Sequence, residues 1–283
     1  MRKILSLICL LFSLPLCSLF LEGAAGESKK HGPVNHSLVA DIHAWDGITS
    51  FWLAWKIERE EGWHTYWTHP GEVGLPPSVQ WDLPEGVEAG PLVFPPPKRV
   101  MMGKVAAHGH HGETLFLSQI SASDKFKPSG DLTIRGNISW LACSKTCLPG
   151  FSEIELNLPL EKTIREDKSW SAAFNAFREK LPQDPPVDWK ASAHDEGGKF
   201  KLVVPVEEGA VNPGIYFFGE GRSVRSNAMQ PVREKNGMWE LQMIRSPWSS
   251  NDESRLRGLL FRKDGWADNP AMKFYQIDLP LEK

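Results

Sequence analysis

Two cysteines stand close together in WLACSKTCLPG, residues 140–150: Cys143 and Cys147, with Pro149 two positions beyond the second. A thiol pair at this spacing has three uses: a structural bond, a metal clamp, or a dithiol that cycles with its disulfide. Four residues of extended chain would hold the two Cα atoms about 13 Å apart, whereas a disulfide needs about 4.4–6.8 Å. Ser144-Lys145-Thr146 must therefore turn, which sets both sulfurs at the end of a strand. A loop this short makes a weak staple, worth about 2 kcal/mol in the chain-entropy model against nearly ~5 for a loop of 100 residues. Tight loops also ease reduction. Lys145 places an ammonium between the thiols, where it favours a thiolate. These residues favour exchange, with the structural bond and the metal site still open.

The metal reading draws on HGHHGE, residues 108–113. His108, His110 and His111 with Cys143 and Cys147 form a donor set suited to Cu(I) or Zn(II). The plainer reading of the histidines is a solvated, glycine-rich loop. No other catalytic pattern is present: GxSxG, HExxH, a P-loop and a GxGxxG after a strand are all missing. Acidic residues are scattered, so no carboxylate pair can be nominated.

The elements that would carry these residues are mostly strands. In TSFWLAWKIER, Phe51, Leu53, Trp55 and Ile57 alternate with Trp52, Ala54, Lys56 and Glu58, the period of a half-buried strand. Leu132, Ile134, Gly136 and Ile138 repeat the pattern, as do Ile154, Leu156 and Leu158. Turn clusters such as His69-Pro70-Gly71 and Pro95-Pro96-Pro97 separate the runs, as in antiparallel sandwiches. Residues 167–181 switch to a helical stripe of Trp170, Ala173, Phe174, Phe177 and Leu181, with Asp167 or Ser169 as cap. PQDPPVDW breaks that helix. FKLVVPV, GIYFFG, MWELQMI, LRGLLFRK and KFYQIDL then read as strands.

The expected fold is mainly β: an immunoglobulin-like antiparallel sandwich at 36–164, a helical connector and linker at 165–186, and a second, smaller β-sandwich at 187–283. The second unit has no cysteine and one histidine, His194, and reads as a structural or partner-binding module. The chain has 283 residues, 41% of them hydrophobic, enough for one large or two ordinary cores. Its 12 tryptophans fit aromatic packing between sheets. A net charge of -3 gives no footprint for nucleic acid.

Residues 1–25 read as a secretory signal: Arg2 and Lys3, then apolar Ile4 to Leu21, then small residues from Gly23. Cleavage near Ala25 would remove Cys9 and Cys17 and leave one cysteine pair in an oxidising, exported compartment.

GWHTYWTHPGEVGLPPSVQW, from Gly62 through Trp81, and the C-x-x-x-C-x-P of Cys143, Cys147 and Pro149 stand in one order, with the Gly-Glu of Gly112-Glu113 between them. In these motifs the sequence resembles the N-terminal periplasmic domain of the DsbD family of thiol–disulfide interchange proteins. It is most similar to the branch that includes ScsB, linked to copper tolerance. The resemblance implies an immunoglobulin-like sandwich without a cofactor, whose cysteine pair takes electrons from a thioredoxin-like or membrane electron-transfer partner. It would pass them to exported thiol proteins as a disulfide reductase in a bacterial periplasm. It also implies that Cys147 forms the mixed disulfide and Cys143 resolves it. A cap loop shields the pair in the family, and the Gly-Glu landmark puts His110 and His111 in that loop, where aromatic residues are usual. Tyr66 and Trp140 are candidates for walls of the site. Full-length relatives continue into membrane and thioredoxin-like domains, whereas this sequence stops at Lys283 without a CxxC, so a separate partner would supply the electrons.

Overall fold

The structure is a computed structural model and describes residues 24–206, 214–250, 253–266 and 269–283. The predicted signal segment, with Cys9 and Cys17, lies outside the described residues apart from Ala24 and Ala25. The chain is mainly β, as its alternation implies, with one helix among the described residues.

Two sheets build the first half. One holds Val34–Ala40, Phe51–Arg59 and Glu113–Ala122 as its centre, with Phe51–Arg59 antiparallel to both neighbours. The other holds the long hairpin Leu132–Cys143 and Cys147–Leu158, the short strand His64–Tyr66, and the pair Val105–His111 and Lys98–Met102. Alternation decides what lies between them. Phe51, Leu53, Trp55 and Ile57 enter a core shared with Ile134, Ile138, Trp140, Ile154 and Leu156 of the opposite sheet.

The reverse face of Phe51–Arg59 is covered as well. The helix Lys168–Arg178 starts at Asp167, whose carboxylate accepts the Ser169 amide. Its Phe174 and Phe177 pack on Val39, Ala54, Leu115 and Leu117. The stripe read as a connector is thus a lid on the first sheet, and burial of these two rings is worth roughly 1.5–3 kcal/mol each.

A seven-stranded sheet makes up the second half, in the order Ile215–Gly219, Arg255–Arg262, Phe274–Glu282, Ser192–Asp195, Lys199–Pro205, Met238–Ile244, Val232–Lys235. Both ends of this order contribute to one core, with Phe217, Leu260 and Tyr275 meeting Phe200, Leu202 and Trp239. Among the described residues, the pairs Ala193 with Leu281 and His194 with Glu282 join the two parts in parallel.

The halves touch through polar and aromatic contacts. Ser226 Oγ donates to the Ala106 carbonyl (2.8 Å) and accepts the Glu72 amide (3.2 Å). Asn227 accepts the Ala106 amide, and Arg225 pairs with Glu72. Trp67 packs with Phe218 and Leu259.

Candidate functional site

The long hairpin runs through twelve register pairs, from Leu132 opposite Leu158 to Cys143 opposite Cys147. The intervening three residues turn back on themselves, with the Ser144 amide donating to the Thr146 carbonyl. A disulfide joins the cysteines, whose Cα atoms are 4.1 Å apart. The turn expected from spacing alone is therefore the tip of a hairpin.

Parity along Leu132–Cys143 then separates the site from the core. Ile134, Ile138, Trp140 and Ala142 face inward. Cys143 and Leu141 face the other way, under a small cluster of Tyr66, Val100 and Ala107 edged by Val73 and Met102. Cys143 is 0% exposed, while Cys147 is exposed. One sulfur position is shielded and the other is open to an incoming protein.

The strand His64–Tyr66 lies between the hairpin and Val105–His111. His64 is the register partner of Cys143 on one side and of His111 on the other. Directly opposed residues of antiparallel strands share a face. The thiol and two imidazoles therefore form a row across three strands. His64 is 1% exposed, and its Nε2 is buried with no hydrogen-bond partner. Burial, then the nearby His111 and Arg59, lower its pKa to about 4. The rings of His64 and His111 are 5.6 Å apart. His111 itself is exposed, with Nδ1 3.0 Å from the Trp63 carbonyl.

Two further groups fix this row. Arg59, buried behind the sheet, donates to Thr65 Oγ1 and to the Gly112 carbonyl, tying the short strand to the turn after His111. Its pKa is lowered to about 9 by burial. Tyr66 is fully buried with its hydroxyl unpartnered, and burial raises its phenol pKa. Gly74 closes a loop onto that ring. It has φ +102°, and a Cβ there would stand 2.2 Å from the ring, so no other residue fits.

Several expectations about the site change. HGHHGE is a strand and a turn rather than a solvated loop. Strand parity splits its histidines. His111 shares the disulfide's face. His108 and His110 point away and are buried. His108 donates from Nδ1 to the His69 carbonyl and has Nε2 3.2 Å from the Tyr216 hydroxyl. His110 donates to the Pro95 carbonyl and packs on Phe116. Desolvation lowers His108 to about 4 and His110 to about 3. The structure thus does not bring the expected Cu(I) ligands together: among the described residues no group of three or more His, Cys, Asp and Glu is arranged to hold a metal.

Of the two histidines expected in a cap loop, His110 points away from the disulfide and His111 shares its face, one strand beyond His64. Val100 and Met102, of the hairpin Lys98–Met102 and Val105–His111, belong to the cluster that packs with Cys143. Trp140 lies on the core side, against His36 and Trp55, and so is no wall. It supports the hairpin from beneath: a Cβ at Gly150 would stand 2.2 Å from its ring. Tyr66 packs in the same cluster as Cys143. Pro149 is exposed opposite Leu141, on the face of Cys147. His64 was not singled out by the sequence, although it sits in the Gly62 to Trp81 motif, two residues before the aromatic pair Tyr66-Trp67.

A family model described as "Thiol:disulfide interchange protein DsbD, N-terminal" matches residues 38–159, the stretch that contains most of both sheets and the disulfide. Residues 38–159 are a DsbD-type N-terminal domain. The crystal structure of the N-terminal periplasmic domain of ScsB from Proteus mirabilis has the same fold, with a TM-score of 0.68 at 15% identity. The match covers 92% of this chain and 99% of that one, so it takes in the second half as well as the DsbD-type domain. No curated protein matches the sequence. The DsbD assignment makes Cys143–Cys147 the bond of a thiol–disulfide interchange domain. Among the described residues no helix is long and apolar enough to cross a membrane.

Proposed function

We propose that this protein exchanges thiols and disulfides in the bacterial periplasm, passing electrons from a thioredoxin-like or membrane electron-transfer partner to exported thiol proteins. The observation that carries the reading is the unequal exposure of the pair, Cys147 open and Cys143 buried at 0%. In the reduced protein, the Cys147 thiolate attacks one sulfur of a substrate disulfide. A mixed disulfide forms, and the other substrate sulfur leaves as a thiolate. Cys143, losing its proton, then attacks the Cys147 sulfur. The Cys143–Cys147 bond forms, and the substrate departs with its second sulfur reduced. Two electrons have moved from the pair to the substrate, and the upstream dithiol restores them by the reverse sequence.

The test is the reduction potential of Cys143–Cys147, measured by equilibration with glutathione buffers. A value of about -270 to -180 mV, the span from thioredoxin to protein disulfide isomerase, is expected. A value below about -300 mV would make the bond structural and overturn the proposal.

A further inference from the structure

We infer that His64 is the proton acceptor for Cys143 in the resolving step. The inference rests on the exchange reading above and adds to it a residue and a proton path.

The geometry points to this role in three ways. His64 is the cross-strand partner of Cys143 on the shielded face, which sets their Cβ atoms about 4.5–5.5 Å apart. Its Nε2 is buried without a partner, which is costly unless some state of the protein uses it. In the oxidised protein the Cys143 sulfur has no proton to offer. After reduction it becomes a buried S–H on the strand position opposite an imidazole with an unpartnered nitrogen. The third observation is the exit. On its other side His64 pairs with His111, which is exposed, so a proton received inside has a neighbour open to water.

The step balances. The Cys143 S–H gives its proton to His64 Nε2, and the resulting thiolate attacks the Cys147 sulfur. The new S–S bond forms as the Cys147–substrate bond breaks, and the substrate leaves as a thiolate. The imidazolium, now without its thiolate partner, yields its proton to the leaving thiolate or to water beside His111. Its groups act in a consistent direction. Desolvation, His111 and Arg59 all disfavour the imidazolium, and Tyr66 at 5.2 Å offers a neutral phenol. Only the Cys143 thiolate stabilises the charged form, so proton uptake is confined to the interval in which the thiolate exists. Burial alone raises a thiol pKa, and a base is what a shielded resolving cysteine needs.

The experiment uses the reduced protein and 5,5′-dithiobis(2-nitrobenzoate). Attack by Cys147 releases one thionitrobenzoate, and resolution by Cys143 releases a second. The two phases are read separately at 412 nm across pH 5 to 9. His64→Gln should slow the second phase at pH 7 by about a hundredfold, the low side of a general base. Its profile should move toward that of an ordinary thiol, near pH 8.5. The first phase should change less than about twofold, which also reports that the variant is folded. His111→Ala, at an exposed position, removes an imidazole that lowers the His64 pKa, so the rise of the second phase should shift to higher pH. Second phases with wild-type rate and profile in both variants would overturn the inference. If the wild-type protein releases no second equivalent, the exchange reading itself fails, and that outcome is distinct.

Discussion

The two halves of the chain share β architecture but spend it differently. The second half buries Phe200, Phe217, Leu241, Leu260 and Trp266 and keeps its one histidine, His194, partly exposed beside Glu282. The first half buries four imidazoles, His36, His64, His108 and His110, together with the Arg59 guanidinium. Desolvating polar groups costs free energy, and several ring nitrogens here have no partner to repay it: both of His36, Nε2 of His64 and Nδ1 of His110. Such burial works against stability. The second half packs against the first through Ser226, Asn227 and Arg225.

The largest test of this division is Cys147→Ser, which should abolish disulfide exchange with a model substrate and leave the fold intact. Wild-type exchange in that variant would remove the chemistry from the first half altogether. Next, Phe217→Ala should cost about 3–5 kcal/mol by urea denaturation, because the ring is fully buried. The reduction potential should not move. A shifted potential would show that the second half tunes the site.

A smaller effect comes from pH. The folded-state pKa values of His36, His64 and His108 are lowered to about 4, and that of His110 to about 3, by burial above all. The unfolded imidazoles titrate near 6.5. Above that pH both states are neutral and stability is at its full value. As pH falls from about 6.5 toward 4, the unfolded chain takes up protons that the folded one refuses, so stability declines. The urea midpoint should be lower at pH 5 than at pH 7. An unchanged midpoint would mean that these imidazoles find partners, and the contrast between the halves would lose its physical basis.

Much of this was legible in residues. The alternation of Phe51 to Glu58 gave a strand and its core face, and Asp167 gave the helix cap. Spacing gave the turn between Cys143 and Cys147. Other features failed for physical reasons. The glycines of HGHHGE suggested a loop, yet Gly109 lies in a strand where a Cβ would stand 2.2 Å from the Thr65 carbonyl oxygen. Ser192–Asp195 and Val232–Lys235 are short and polar, so no alternation announces them. Trp140 and Cys143 differ by an odd number of positions, so opposite faces could have been read from parity once the strand was granted. His64 beside Cys143 could not: their pairing is long-range, and no local period carries it.

The twelve-rung hairpin has one more consequence, for time rather than structure. Eleven backbone pairs besides the cysteines hold its two strands together, so the ladder keeps the resolving thiol beside its target. A reactant held in place acts at effective concentrations that can reach about 10⁵ M and above. The partner-bound intermediate is therefore brief, and each encounter ends in release rather than in a lingering covalent complex. Catching that complex requires Cys143 to be removed first.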